Sequence, residues 1–217
     1  MVTPRRSRPQ VPYYAQWESP ELVGDLLTGR TRAENDPYWA RSGAKDPTEY
    51  AFWSWKTCGV ACLRMALASM EINPPTVMSL VEDLVDVGAY RLDGVRVHGL
   101  VYAPFVEYVN AQDWSLTATV AAPLEIGDLR LHLEGDGLAL ISVHPTIRDL
   151  TPQSEPPPLQ REGGHLVLAI ASTDQHIVFH NPSGWPGRSQ VEVAVQWTSL
   201  EPCFARRGIL LTKEETP

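Results

Sequence analysis

Cys58, His165 and Asn181 have the types and the setting for covalent acyl chemistry. Cys58 stands in "FWSWKTCGVACLRMAL", where a polar Lys-Thr pair gives way to a helical pattern. A thiol attacks carbonyls as the thiolate, and a helix start offers unpaired N–H groups and the positive end of the dipole, which favour that form. A base must then reach the sulfur, and a third group must hold the base. Of the six histidines, His165 is best placed: it follows Gly163-Gly164 and opens the apolar run "LVLAIAS". The chain then turns at Thr173-Asp174-Gln175 and returns along "HIVFHNP". If these two runs pair as a hairpin, Asn181, 16 residues on and just before Pro182, comes back opposite His165. There its amide oxygen would accept the imidazole N–H and hold the ring.

The elements that must position these groups are legible in the periodicity. "VPYYAQW" at 11–17 reads as a short strand or extended arm, and the polar, turn-rich residues 18–50 read as loop with one helical turn around Glu21 to Leu27. From Thr57, a plausible N-cap, Val60, Leu63, Leu67 and Met70 recur at helical spacing. Further helices are expected at 76–88, capped by Thr76, and at 98–111, where Pro104 kinks the helix or moves its start downstream. Beyond residue 115 the pattern becomes strand-like, at 115–122, 138–145, 164–172, 176–182, 191–197 and 207–212, with one short helix at 125–137. Helices followed by strands imply an α+β fold. The proline-rich loop 146–164 separates two of the strands and is long enough to suggest a functional role.

"TCGVACLRMAL", "GGHLVLAI" and "FHNPSG", in this order, resemble the papain-like cysteine peptidases, in particular the bacterial branch similar to the peptidase domains that process double-glycine bacteriocin leaders. The resemblance implies a papain-like fold, with an N-terminal helical half packed on a C-terminal twisted antiparallel sheet. It implies that Cys58 is the nucleophile, His165 the base and Asn181 the orienting group. "VPYYAQW" is similar to the opening of the same branch, which implies an oxyanion donor role for Gln16 beside the Cys58 N–H. The 42 residues from Gln16 to Cys58 depart from the pattern, so 18–52 is expected to be an insertion and a possible flap over the cleft. The expected organisation is a disordered basic tail at 1–10 and one catalytic domain over 11–217.

Other residues have readings of their own. Trp55, Gly59, Gly164 and Trp185 are candidates for substrate binding, the tryptophans as apolar walls. The alternative is that the tryptophans pack the two halves together, that Cys58 is an inert packed thiol, and that Asn181 caps the turn "NPSG". Cys62, one turn into the helix, reads as core, and Cys203 as packed. His98 and His132 read as helix-surface residues; His176 and His180, four apart, share a strand face; His144 closes a strand end.

The composition bounds the function. A net charge of −8 argues against a nucleic-acid partner. No run of 18 apolar residues is present, so no membrane span is expected. The N-terminus lacks an apolar signal region, and three cysteines, two of them four apart, suit a reducing compartment; the expected location is cytoplasmic. The expected activity is a cysteine peptidase or amidohydrolase acting on a peptide or small amide, with no metal and no cofactor. The alternatives are an acyltransferase that passes the thioester to an amine and an inactive peptide-binding module.

Overall fold

The computed structural model describes residues 10–151 and 154–214. The expected disordered tail, apart from residue 10, lies outside the described residues. The first half carries α1 (Val23–Leu27), α2 (Pro47–Ser54), α3 (Cys58–Ala68), α4 (Val77–Asp86) and α5 (Tyr102–Asn110). A hairpin of β1 (Arg91–Asp93) and β2 (Arg96–His98) sits between α4 and α5. The second half runs β3 (Leu116–Ala121), α6 (Ile126–Glu134), β4 (Leu138–Val143), β5 (His165–Ser172), β6 (His176–His180), β7 (Val193–Gln196), α7 (Trp197–Leu200) and β8 (Phe204–Lys213). The six strands of this half form one antiparallel sheet in the order β3-β8-β4-β5-β6-β7. The fold is α+β.

The sheet is covered on both faces, and β5 shows how the sequence achieves this. Successive strand side chains point to opposite faces. Leu166, Leu168 and Ile170 join the core built with α3, α4 and α5, whereas Val167 and Ala169 join the core under α6 and α7. A strand buried on both sides reads as an unbroken apolar run, as "LVLAIAS" does. Antiparallel pairing of β5 with β6 places Leu168 opposite His180. Asn181 therefore leaves the end of β6 toward the start of β5, where His165 lies.

Three stretches differ from the sequence reading. Residues 98–111 are not one helix: Arg96–His98 pairs in the hairpin, and α5 starts at Tyr102, with Pro104 in its first turn where a missing N–H breaks no helical bond. His98 is accordingly on a strand. Residues 18–50 are not mostly loop. Asp46 accepts a bond from the Glu49 N–H at 2.8 Å and Pro47 occupies the first turn, which together start α2. Trp17, Val23, Leu26, Ala33 and Tyr50 close a separate small core. It is tied by the buried Asp36, which accepts from the Ser19 N–H and hydroxyl and from the Tyr50 hydroxyl. Residues 11–17 form an extended arm with no strand partner. His180 binds the Val11 carbonyl at 2.9 Å, and the Tyr13 hydroxyl donates to the Asn181 carbonyl at 3.0 Å.

Candidate active site

α3 begins at Cys58 with Thr57 in the N-cap position, but Thr57 does not cap it. Its hydroxyl donates instead toward the Gln16 and Ser54 carbonyls, each at 3.4 Å. The first N–H groups of the helix are thus left for the site. Cys58 is partly exposed, and it lines a cleft of about 430 Å³ together with His165. Trp55 and Gly164 line the same cleft, as do Tyr90, His98, Leu100, Tyr102 and Arg207.

His165 is placed by β5 and by the two glycines before it. Gly163 and Gly164 have φ values of +78° and +102°, which disfavour residues with a Cβ. A side chain at 163 would also meet the Ser142 hydroxyl and the Arg207 guanidinium, 2.6 and 2.8 Å from its Cβ. The imidazole Nε2 lies 2.8 Å from Asn181 Oδ1. The same Oδ1 accepts the Ser183 N–H at 3.1 Å, which fixes the amide with its oxygen toward the histidine. His165 must therefore donate from Nε2, and Nδ1 carries the free lone pair. Asn181 is fully buried, and its Nδ2 has no partner among the described residues. The side chain is held only through its oxygen.

A second layer was not foreseen. The Ser183 hydroxyl is 3.1 Å from His165 Nε2 and accepts from Arg148 at 2.8 and 3.1 Å. Arg148 also donates to the Ser183 carbonyl at 2.9 Å. It comes from a short 3-10 turn, Pro145–Asp149, that follows β4. A guanidinium is thus anchored one hydroxyl away from the base. Ser183 is marked in the sequence only by the weak signal of the "NPSG" turn, and Arg148 by none.

The electrostatics favour a neutral resting pair. Burial holds His165 down to about 4; the Arg148 charge adds to this, and the bond to Asn181 opposes it. Burial pushes the Cys58 thiol up, and the Leu166 and Gly59 N–H groups, the Arg148 charge and its own N–H pull it back only in part. The lowered thiol pKa expected from a helix start is therefore not met: desolvation of the sulfur exceeds the contribution of the helix N–H groups.

The remaining candidates are placed as follows. Gln16 is buried between the end of α2 and the Asn181-Pro182 turn; its N–H donates to the Pro182 carbonyl at 2.9 Å and its Nε2 to the Ser54 carbonyl at 3.0 Å. It does not line the cleft. Gly59 lies behind the cleft wall: a Cβ there would come within 2.8 Å of Leu100 and 3.1 Å of Leu166, which are lining residues. Trp185 is outside the cleft. Its indole N–H donates to Asp149 at 3.0 Å and its ring faces Gly24, so it packs the loop after Asn181 onto its neighbours. Trp55, half exposed, stacks edge-on against Trp17 at 5.0 Å.

Among the other histidines, His180 is buried and bonded through both nitrogens, to Val11 and to the Glu192 N–H. His132 is held by the Leu138 and Leu211 carbonyls rather than free on a helix surface. Cys62 and Cys203 are buried in the two cores.

No family model and no curated protein matches the chain. Among solved structures, it is similar to a crystal structure from Bacillus anthracis of a protein inferred to be a C39-like peptidase. The identity is 16% and the TM-score 0.50, over 74% of this chain and 90% of that one. At this identity the likeness is one of fold. The chain has the α+β fold of C39-like, papain-like peptidases, helices first and a six-stranded antiparallel sheet after them. No helix among the described residues is long and apolar enough to cross a membrane.

Proposed function

We propose that the chain is a cysteine hydrolase of peptide or amide bonds. Cys58 is its nucleophile, His165 its base and Asn181 the group that holds the base. The observation that carries this is the 2.8 Å His165–Asn181 bond, made with Nε2 so that Nδ1 is free, on a histidine that lines the same cleft as Cys58.

In the proposed reaction His165 Nδ1 takes the proton of the Cys58 thiol as the sulfur bonds to the substrate carbonyl carbon. The carbonyl electron pair moves to oxygen. The Cys58 N–H is the donor assigned to that oxyanion; Gln16, bonded to Ser54 and outside the cleft lining, would have to turn its amide inward to join it. Collapse of the adduct breaks the C–N bond, and the leaving amine takes the proton from His165. Water then attacks the thioester and gives a proton to His165; collapse of this adduct breaks the C–S bond, the acid leaves, and His165 returns the proton to the Cys58 sulfur. Starting from a neutral pair means that the thiolate forms during attack rather than beforehand. The likeness of sequence motifs to the leader-processing peptidases favours a peptide substrate. Hydrolysis, rather than transfer to an amine, is the simpler outcome because it needs no second organic pocket.

The test is incubation with a diverse peptide mixture, reading new termini by mass spectrometry. Cleavage that is lost in both Cys58→Ala and His165→Ala supports the reading; cleavage that survives Cys58→Ala refutes it.

A further inference from the structure

The cleft wall is unusual in charge. It includes two cationic side chains, Lys56 and Arg207, and no carboxylate, on a chain of net charge −8. Arg207 is exposed, and its guanidinium donates to the Glu162 backbone carbonyl at 3.2 Å. No carboxylate pairs with it among the described residues, whereas its neighbour Arg206 is paired with both Glu125 and Glu201. An unpaired arginine facing a cavity is a poised anion site, because its planar fork matches a carboxylate.

Arg207 does not stand alone. Its guanidinium and the Ser142 hydroxyl converge over Gly163. Tyr102 lines the same cleft as Ser142 and Arg207, and both act on the electrostatics of its hydroxyl. Three elements, β4, β8 and α5, thus bring donors to one spot. Ser142 pairs with Leu166 in the sheet, and Gly163 precedes His165 by two residues. Gly164, His165 and Arg207 line the same cleft, so the donors share a wall with the base.

We propose that Arg207, with Tyr102 and Ser142, binds a carboxylate of the substrate, one residue before the scissile carbonyl, so that the site prefers acidic peptides. This rests on the hydrolase reading above and adds the substrate class. Gly163 then has a further role: any side chain there would fill the place where the guanidinium and the hydroxyl meet.

The test uses three dipeptidyl vinyl sulfones with glycine next to the warhead and Glu, Gln or Lys before it. Alkylation of Cys58 is timed by mass spectrometry. The Glu probe should react about tenfold faster than the Gln probe, and the Lys probe slowest. Arg207→Gln should erase the Glu advantage, Arg207→Lys should keep part of it, and Arg207→Glu should make the Lys probe fastest. Melting curves check that the variants fold. Equal rates for Glu and Gln in the wild type, or a Glu advantage that survives Arg207→Gln, would overturn the carboxylate site while leaving the hydrolase reading intact. No alkylation of Cys58 by any probe would overturn the hydrolase reading, and this inference with it.

Discussion

Replacing Asn181 by aspartate should raise the pKa of His165 by at least about two units. The change is nearly isosteric, and the amide nitrogen it removes has no hydrogen-bond partner. The new carboxylate keeps the 2.8 Å contact with Nε2 and the bond from the Ser183 N–H. Two unit charges about 2.8 Å apart attract by about 6 kcal/mol at an effective dielectric of about 20, or roughly four pKa units. Desolvation of the carboxylate and its attraction to Arg148 oppose part of this, so about half is expected to appear at His165. Burial and the Arg148 charge hold His165 at about 4 in the wild type. It should therefore titrate near about 6 in Asn181→Asp. Nitrogen-detected NMR of the imidazole reads both curves directly. A wild-type His165 that titrates at or above its reference value of about 6.5, or an aspartate variant whose curve does not move, would refute the electrostatic reasoning.

The same depressed pKa makes stability depend on pH. His165 is neutral in both states above the unfolded value of 6.5; as pH falls from there toward about 4, only the unfolded chain binds the proton, so up to about 3 kcal/mol of stability is lost across that window. Urea unfolding at pH 7 and pH 4.5 should show the loss, and His165→Gln should show less of it. Arg148→Met should raise the pKa of both His165 and Cys58 and slow alkylation of Cys58 at neutral pH, since the guanidinium lowers both groups; unchanged titration curves would count against that role. Ser183→Ala should destabilise by about 1–3 kcal/mol, because it leaves the Arg148 donors short of a partner in a buried setting, and a melting temperature equal to wild type would contradict this. His180→Phe should free the 11–17 arm by removing the bonds to Val11 and Glu192, which limited proteolysis would detect as early cleavage before residue 18.

What was readable in the sequence followed from local periodicity. The α3 start, the β5 and β6 runs and the turn at Asn181-Pro182 each carry a short-range signal, and together they brought His165 and Asn181 into one place. The small core around Trp17 and Tyr50 was less visible because its residues are scattered among polar ones, although Asp46, Pro47 and Glu49 did carry a helix-start signature. The 96–98 strand was hidden because "RLDGVRVH" is short and mostly exposed, so neither face is marked by burial. Arg148 and Arg207 carry no signal in spacing: Arg148 is bonded to Ser183, and Arg207 is brought beside Ser142 over Gly163, only in the folded chain. The thiol environment is the least legible part. A helix start is a sequence feature, but desolvation is a property of the packed site.

The most direct test of the account is alkylation of Cys58 by the Glu–Gly vinyl sulfone in the wild type and in His165→Ala, read residue by residue with mass spectrometry. The account predicts modification at Cys58 while the buried Cys62 and Cys203 stay unmodified, and a rate at least about 10²-fold lower without the base. Labelling of Cys58 no faster than of Cys62 or Cys203, or a rate indifferent to His165, would contradict it.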